Sequence, residues 1–214
     1  MALGSIKPHG VDDRPAETLL FLPGALGNIQ LWQPVADRLQ HPGARRFVTW
    51  PGFGGAPADA SVTSLDDLVT RVVDQITGPV DLLAQSMGGV VAILATLRRP
   101  ERVRHLVLSA TSGGIDVGAL GGLDWRPLVL EQAPDMPRWF IDERRDLTAR
   151  LHAIDIPVLL VWGDADPISP VAAGRRLEAL LPNAELLIFA GGTHDVVSEH
   201  AAALAPEIDR HLSR

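Results

Sequence analysis

The stretch VDLLAQSMGGVVAILATL (Val80–Leu97) decides the fold. It opens and closes on apolar residues, with Gln-Ser-Met-Gly-Gly between them. Val80 to Gln85 has the length and apolar content of a buried strand, and an apolar helix follows from about Met87. Ser86 stands at the junction. Serine and glycine populate ordinary turns for steric reasons, so this stretch alone does not separate a turn from a nucleophile held at the top of a sheet.

Working outward, short apolar runs alternate with longer amphipathic ones. Strands are expected in TLLFLP (Thr18–Pro23), RRFVTWPG (Arg45–Gly52), VRHLVLSA (Val103–Ala110), PVLLVWGD (Pro157–Asp164) and AELLIFAGG (Ala184–Gly192). Helical spacing marks Leu31–Gln40, Leu65–Ile76 with Ser64 as N-cap, Ala172–Leu181 and a terminal helix near Ser198–Leu212. Strands alternating with helices imply crossover connections and a parallel sheet covered on both faces. The expected architecture is α/β in three layers, with six or seven mostly parallel strands. One domain is expected over 1–214, with residues 1–16 loosely ordered.

The segment 113–150 breaks the rhythm. It is rich in Gly, Pro and Trp and shows no clean strand. Loops of this length in a compact domain are functional or disordered, and its apolar residues need a partner. A lid insertion over the sheet edge is the expectation.

Composition narrows the partners. The 214 residues include 19 basic and 26 acidic side chains, a formal charge of −7, which argues against nucleic acid or an anionic membrane as partner. No run approaches the roughly 20 apolar residues of a membrane span. The start lacks a signal-peptide pattern, so a cytoplasmic protein is expected. With no cysteine, thiolate metal sites, disulfides and cysteine nucleophiles are excluded. His194 and His200 lack the i, i+4 spacing of a helical metal pair, and no metal or cofactor is expected.

In open parallel sheets, functional groups collect where strands end at their carboxyl edge. Four such ends carry LPGALGN, AQSMGG, VWGDADPISP and FAGGTHDVVSEH. Together with RPERVRHLVLSAT (Arg99–Thr111), these resemble the α/β-hydrolase family, in the chain order Ser, Asp, His. The resemblance runs from Thr18 to the C-terminus. It implies a nucleophile elbow with small residues at Ala84 and Gly88, although the family more often has Gly where Ala84 stands. The turn then forces an unfavourable φ on Ser86.

The same resemblance implies Ser86 as nucleophile, His194 as its base and a carboxylate to orient the base. Asp166 matches the family's spacing after the strand-end Gly, and Asp164 is the alternative, better suited to tying the loop through backbone bonds. Glu199, five residues after His194, matches as well. The implied oxyanion donors are the N–H groups of Met87 and Ala25, with Leu26 as second choice. Pro23, where His is usual, and Thr49, where Asp is common, depart from the pattern and put local loop geometry in question. Only 17 residues precede the first strand, too few for the family's full leading hairpin.

Leu26, Trp50, Trp125, Leu128, Trp139 and Phe140 suggest an apolar acyl pocket, and Arg126, Arg138, Arg144 and Arg145 raise a substrate carboxylate, although arginines on an amphipathic lid helix are usually just solvated. The expected activity is hydrolysis of a small or medium carboxylic ester through an acyl-enzyme. Thioester, lactone and C–C bond hydrolysis, perhydrolysis and lyase chemistry use the same triad. A ligand-binding module and a structural interaction protein are the non-enzymatic alternatives. The partner is a small-molecule acyl substrate, and the protein is a monomer or a homodimer.

Overall fold

The computed structural model describes residues 16–214. Residues 1–15, almost all of the stretch expected to be loosely ordered, lie outside the described residues. In chain order the elements are β1 Thr18–Leu22, α1 Gln33–Ala36, β2 Ala44–Phe47, α2 Leu65–Val73, β3 Val80–Gln85, α3 Met87–Arg98, β4 Val103–Ser109, α4 Arg126–Gln132, α5 Arg138–Asp142, β5 Val158–Gly163, α6 Val171–Leu180, β6 Ala184–Phe189, α7 Val196–Glu199 and α8 Ala201–Leu212.

The strands form one sheet of six in the order β2-β1-β3-β4-β5-β6, and every neighbouring pair is parallel. Period-2 alternation sends side chains to both faces. Leu20, Leu22, Leu82, Ala84 and Leu160 pack toward α2, α3 and α6, in a cluster with Leu68, Val91 and Leu177. Leu19, Phe21, Leu83 and Leu159 pack toward α1, α7 and α8, with Val35, Val197 and Leu204. Each such fully buried Leu, Val or Phe side chain contributes roughly 1.5–3 kcal/mol of transfer free energy. Two apolar faces explain why the strands read as continuous hydrophobic runs.

Local chemistry agrees with these boundaries. Ser64 caps α2 by accepting from the Asp67 N–H, while the Asp67 carboxylate accepts from the Thr63 N–H at 2.9 Å. The first bond satisfies a donor the first turn leaves open, and the second ties down the residue before the cap. The outer strands carry charge, Arg45 and Arg46 on β2 and Glu185 on β6, which blunts edge pairing. Among the described residues no helix is long and apolar enough to cross a membrane.

Between β4 and β5 the chain leaves the sheet and forms the short helices α4 and α5. Its aromatic residues hold it down: Trp125 stacks on Phe140 at 5.0 Å between centroids, and Phe140 meets Phe53 edge-on at 5.5 Å. Phe53 follows β2, so the insertion rests on a neighbouring loop. Its two feet are clasped by the Leu147 N–H donating to the Gly114 carbonyl at 2.8 Å. Arg145 crosses to Asp66 of α2, also at 2.8 Å.

Candidate active site

Five of the six strands bring their carboxyl ends near one cavity of about 770 Å³, to which Ser86, His194, Ala25 and Met87 all contribute. Ser86 follows β3 directly and adopts φ +53°, ψ −121°. A positive φ on a non-glycine residue is strained, and here it turns the chain from a buried strand into α3. The turn brings backbones very close. A Cβ on Gly88 would lie 2.6 Å from the carbonyl oxygens of both Leu22 and Pro23, so only glycine fits. Ala84, fully buried in the sheet core, meets no such obstacle.

Asp166 and His194 come from loops after β5 and β6. His194 Nδ1 lies 2.8 Å from Asp166 Oδ2. Asp166 Oδ1 accepts from the N–H groups of Ile168 and Ser169, at 2.8 and 3.1 Å. The carboxylate is therefore buried but fully engaged. With Nδ1–H donated to Asp166, the Nε2 of a neutral His194 keeps its lone pair for an acceptor role. Asp164 does what a turn aspartate does, accepting from the Gly191 N–H at 2.7 Å. Glu199 accepts from both the N–H and hydroxyl of Thr193, at 2.8 and 2.7 Å, which fixes the residue before His194. Those bonds, the hydroxyl's first, hold the Glu199 carboxyl below its ordinary pKa.

Met87 opens α3, where N–H groups have no partner inside the helix and carry the positive end of its dipole. Ala25 follows Gly24 on the loop after β1. The Pro23 departure is accommodated there: its carbonyl accepts from the buried Trp50 indole N–H at 3.0 Å. Trp50 therefore supports the loop from beneath and is not on the cavity wall, contrary to its expected place in an acyl pocket. Its indole N–H needs a buried partner, and the Pro23 carbonyl supplies one.

The other expected pocket residues divide. Leu26, Trp125 and Phe140 contribute to the cavity wall. Leu128 does not; it lies on the outer side of α4 and is 41% exposed. Trp139 also stays off the wall, packed edge-on against Phe53 and Phe140. A seven-residue helix presents its apolar residues in several directions, and sequence spacing did not say which faced inward. Of the arginines, Arg126, Arg144 and Arg145 reach the cavity, whereas Arg138 pairs with Asp142 on the surface. Arg126 is engaged by Asp124 at 2.9 Å and Arg145 by Asp66. Arg144 donates to the carbonyls of Ile141 and Glu143 and forms no ion pair among the described residues.

Two polar residues at the site escaped the sequence reading. Gln85 and Thr111 are buried beside Ser86 and bonded to its surroundings. A glutamine closing an otherwise mostly apolar strand was the available clue.

The sequence matches the alpha/beta hydrolase family over residues 19–151, and the TAP-like protein family over residues 135–214. It is 29% identical to a pimeloyl-[acyl-carrier protein] methyl ester esterase of Neisseria meningitidis, over 74% of this chain and 64% of that one. It is 30% identical to a 2-hydroxy-6-oxononadienedioate/2-hydroxy-6-oxononatrienedioate hydrolase of Klebsiella pneumoniae, over 92% of this chain and 88% of that one. In fold it resembles a thermophilic esterase of Thermogutta terrifontis, with a TM-score of 0.73 at 19% identity over 93% of this chain and 90% of that one. Sheet order, strained elbow and sequence similarity lead to one conclusion: the chain belongs to the alpha/beta hydrolase family.

Proposed function

We propose that this enzyme is a serine esterase in which Ser86, His194 and Asp166 act as a triad on a small or medium acyl ester. The observation that carries the reading is the strained Ser86 on the wall of the same cavity as His194, whose Nδ1 is held 2.8 Å from Asp166. In the reaction, Ser86 Oγ attacks the ester carbonyl as His194 Nε2 takes its proton. The N–H groups of Ala25 and Met87 receive the developing oxyanion. The C–O bond then breaks, and His194 gives the proton to the departing alcohol. Water, deprotonated by His194, attacks the acyl-enzyme and frees the acid and Ser86. Residues 113–150 serve as a lid, with Trp125, Phe140 and Leu26 lining the acyl side.

A fluorophosphonate probe should label Ser86, located by mass spectrometry, and a p-nitrophenyl ester series should show turnover. Ser86→Ala should lose at least about a thousandfold in kcat while keeping its thermal transition. Turnover at the wild-type rate in Ser86→Ala sinks the proposal.

One observation favours a second reading on the same triad. Arg144 reaches the cavity and forms no ion pair among the described residues, which suits an acidic substrate. C–C bond hydrolysis of a dicarboxylic compound is that alternative, and the Klebsiella relative is named as a hydrolase of a dioate. Side-by-side assays of p-nitrophenyl esters and vinylogous 1,5-diketo acids separate the two.

A further inference from the structure

The hydrogen bonds around Ser86 close into a ring. The Gln85 side-chain amide donates to the His194 carbonyl at 3.2 Å. His194 is tied through Nδ1 to Asp166 Oδ2 at 2.8 Å, and Asp166 Oδ1 accepts from the Ser169 N–H at 3.1 Å. The Ser169 hydroxyl donates to the Thr111 carbonyl at 3.3 Å. The Thr111 hydroxyl donates to the Ser86 carbonyl at 2.6 Å, and Ser86 is covalently joined to Gln85. The circuit thus runs from β3 through the loops after β6, β5 and β4 and returns to β3.

The members that touch no reacting atom are costly to place there. Gln85, Thr111 and Ser169 are all at least 96% buried. Burying a polar group is unfavourable unless its bonds are made, and a leucine at 85 or a valine at 111 would suit an apolar neighbourhood better. What they supply is relative position. The Ser86 N–H already donates to the Ser109 carbonyl at 2.9 Å, so Thr111 completes a two-point hold on the strained residue. Its hydroxyl also accepts from the Gly113 N–H at 3.1 Å, which uses both its donor and its acceptor capacity. Gln85 reaches the other way as well. A Cβ on Gly24 would lie 2.4 Å from Gln85 Oε1, so the amide rests against the residue before Ala25.

We propose that Gln85 and Thr111 are positioning residues that set the His194 ring and the Ser86 elbow relative to each other, acting as one closed unit. The inference rests on the triad reading above. Misplacing a reacting group by about 1 Å costs about a hundredfold in rate, and each member holds a joint where such a slip would occur. Because the circuit is a unit, opening it twice should cost little more than opening it once.

The test uses Gln85→Leu, Thr111→Val, their double variant and Thr111→Ser, with kcat and KM measured on protein shown to be folded by its thermal transition. We expect each single variant to lose about ten- to a hundredfold in kcat with KM changed less than about threefold. Thr111→Ser should recover to within about threefold of wild type, and the double variant should fall well short of the product of the singles. If Thr111→Val does not fold, Gln85→Leu decides on its own kcat-against-KM split. Wild-type kcat in folded Gln85→Leu or Thr111→Val overturns the proposal, as does a strictly multiplicative double variant. Fluorophosphonate labelling separates the two levels. Labelled Ser86 with an inactive Ser86→Ala and unaffected positioning variants removes only this inference. Unlabelled Ser86 with an active Ser86→Ala removes the triad itself and this inference with it.

Discussion

Among the described residues, two histidine–aspartate hydrogen bonds have nearly the same geometry. His194 Nδ1 stands 2.8 Å from Asp166, and His105 Nδ1 stands 2.8 Å from Asp81. They differ in place. Asp81 and His105 lie near the starts of β3 and β4, whereas Asp166 and His194 follow the ends of β5 and β6. The His105 side chain is 6% exposed and sits under α8, with the His211 ring 5.3 Å away and His41 Nε2 3.7 Å from Asp81. The His194 side chain keeps 22% of its surface and opens onto the cavity that holds Ser86. A histidine–aspartate bond is therefore no mark of a site. Parallel strands collect loops and helix N-termini at their carboxyl ends, and there a serine shares a cavity with the histidine of the pair. At the other end the whole pair, histidine included, is part of the core.

The comparison predicts a separation of effects. Asp166→Asn should lower kcat about a hundred- to ten-thousandfold in protein that is still folded at the assay temperature, because it disturbs the tautomer of His194. Steady-state kinetics on esters turned over by the wild type measure this. Asp81→Asn should do the reverse. Its kcat at low temperature should stay within about threefold, while chemical denaturation shows a loss of about 3–5 kcal/mol from a broken buried pair. An equal loss of kcat in both variants at a temperature where both are folded would break the comparison.

Acid should find the buried cluster first. Burial, then the neighbouring His105, lowers the His211 pKa from 6.5 to about 4. Arg214 adds to the lowering, while the bond to the Leu106 carbonyl and Glu185 oppose it. Below pH 6.5 the unfolded chain takes up a proton that the folded chain refuses. Stability therefore falls as pH drops from about 6.5 toward 4, by roughly 3 kcal/mol at about 1.4 kcal/mol per pKa unit, and levels off below. Denaturation midpoints against pH should show that window, and His211→Phe should flatten it. The smallest effect belongs to Leu128. Leu128→Ser should change stability by less than about 0.5 kcal/mol and leave kcat and KM unaltered, since its side chain faces outward.

Much of the architecture was legible because its causes are local. Apolar runs of strand length between amphipathic stretches specify a sheet buried on both faces, and Ser64 caps α2 through a bond three residues away. Asp164 could be set apart from Asp166 on motif spacing, and the two carboxylates do take different partners. Side-chain direction across loops was not legible. Trp50, Leu128 and Trp139 have the composition of pocket residues, yet one supports Pro23, one faces solvent and one packs on Phe53. Gln85 and Thr111 were passed over because their partners lie 109 and 25 residues away.

By itself the sequence determined the class of fold, the strand-to-helix junction at Ser86 and which acidic and histidine residues were candidates beside it. Those follow from hydrophobic periodicity and from short-range sterics, which act between neighbours in the chain. Only the tertiary structure decided which aromatic residues reach the cavity, and that a ring of hydrogen bonds joins β3 to the loops after β4, β5 and β6. These depend on contacts made after the sheet has closed its order β2-β1-β3-β4-β5-β6, and no local pattern encodes the distance between two strand ends.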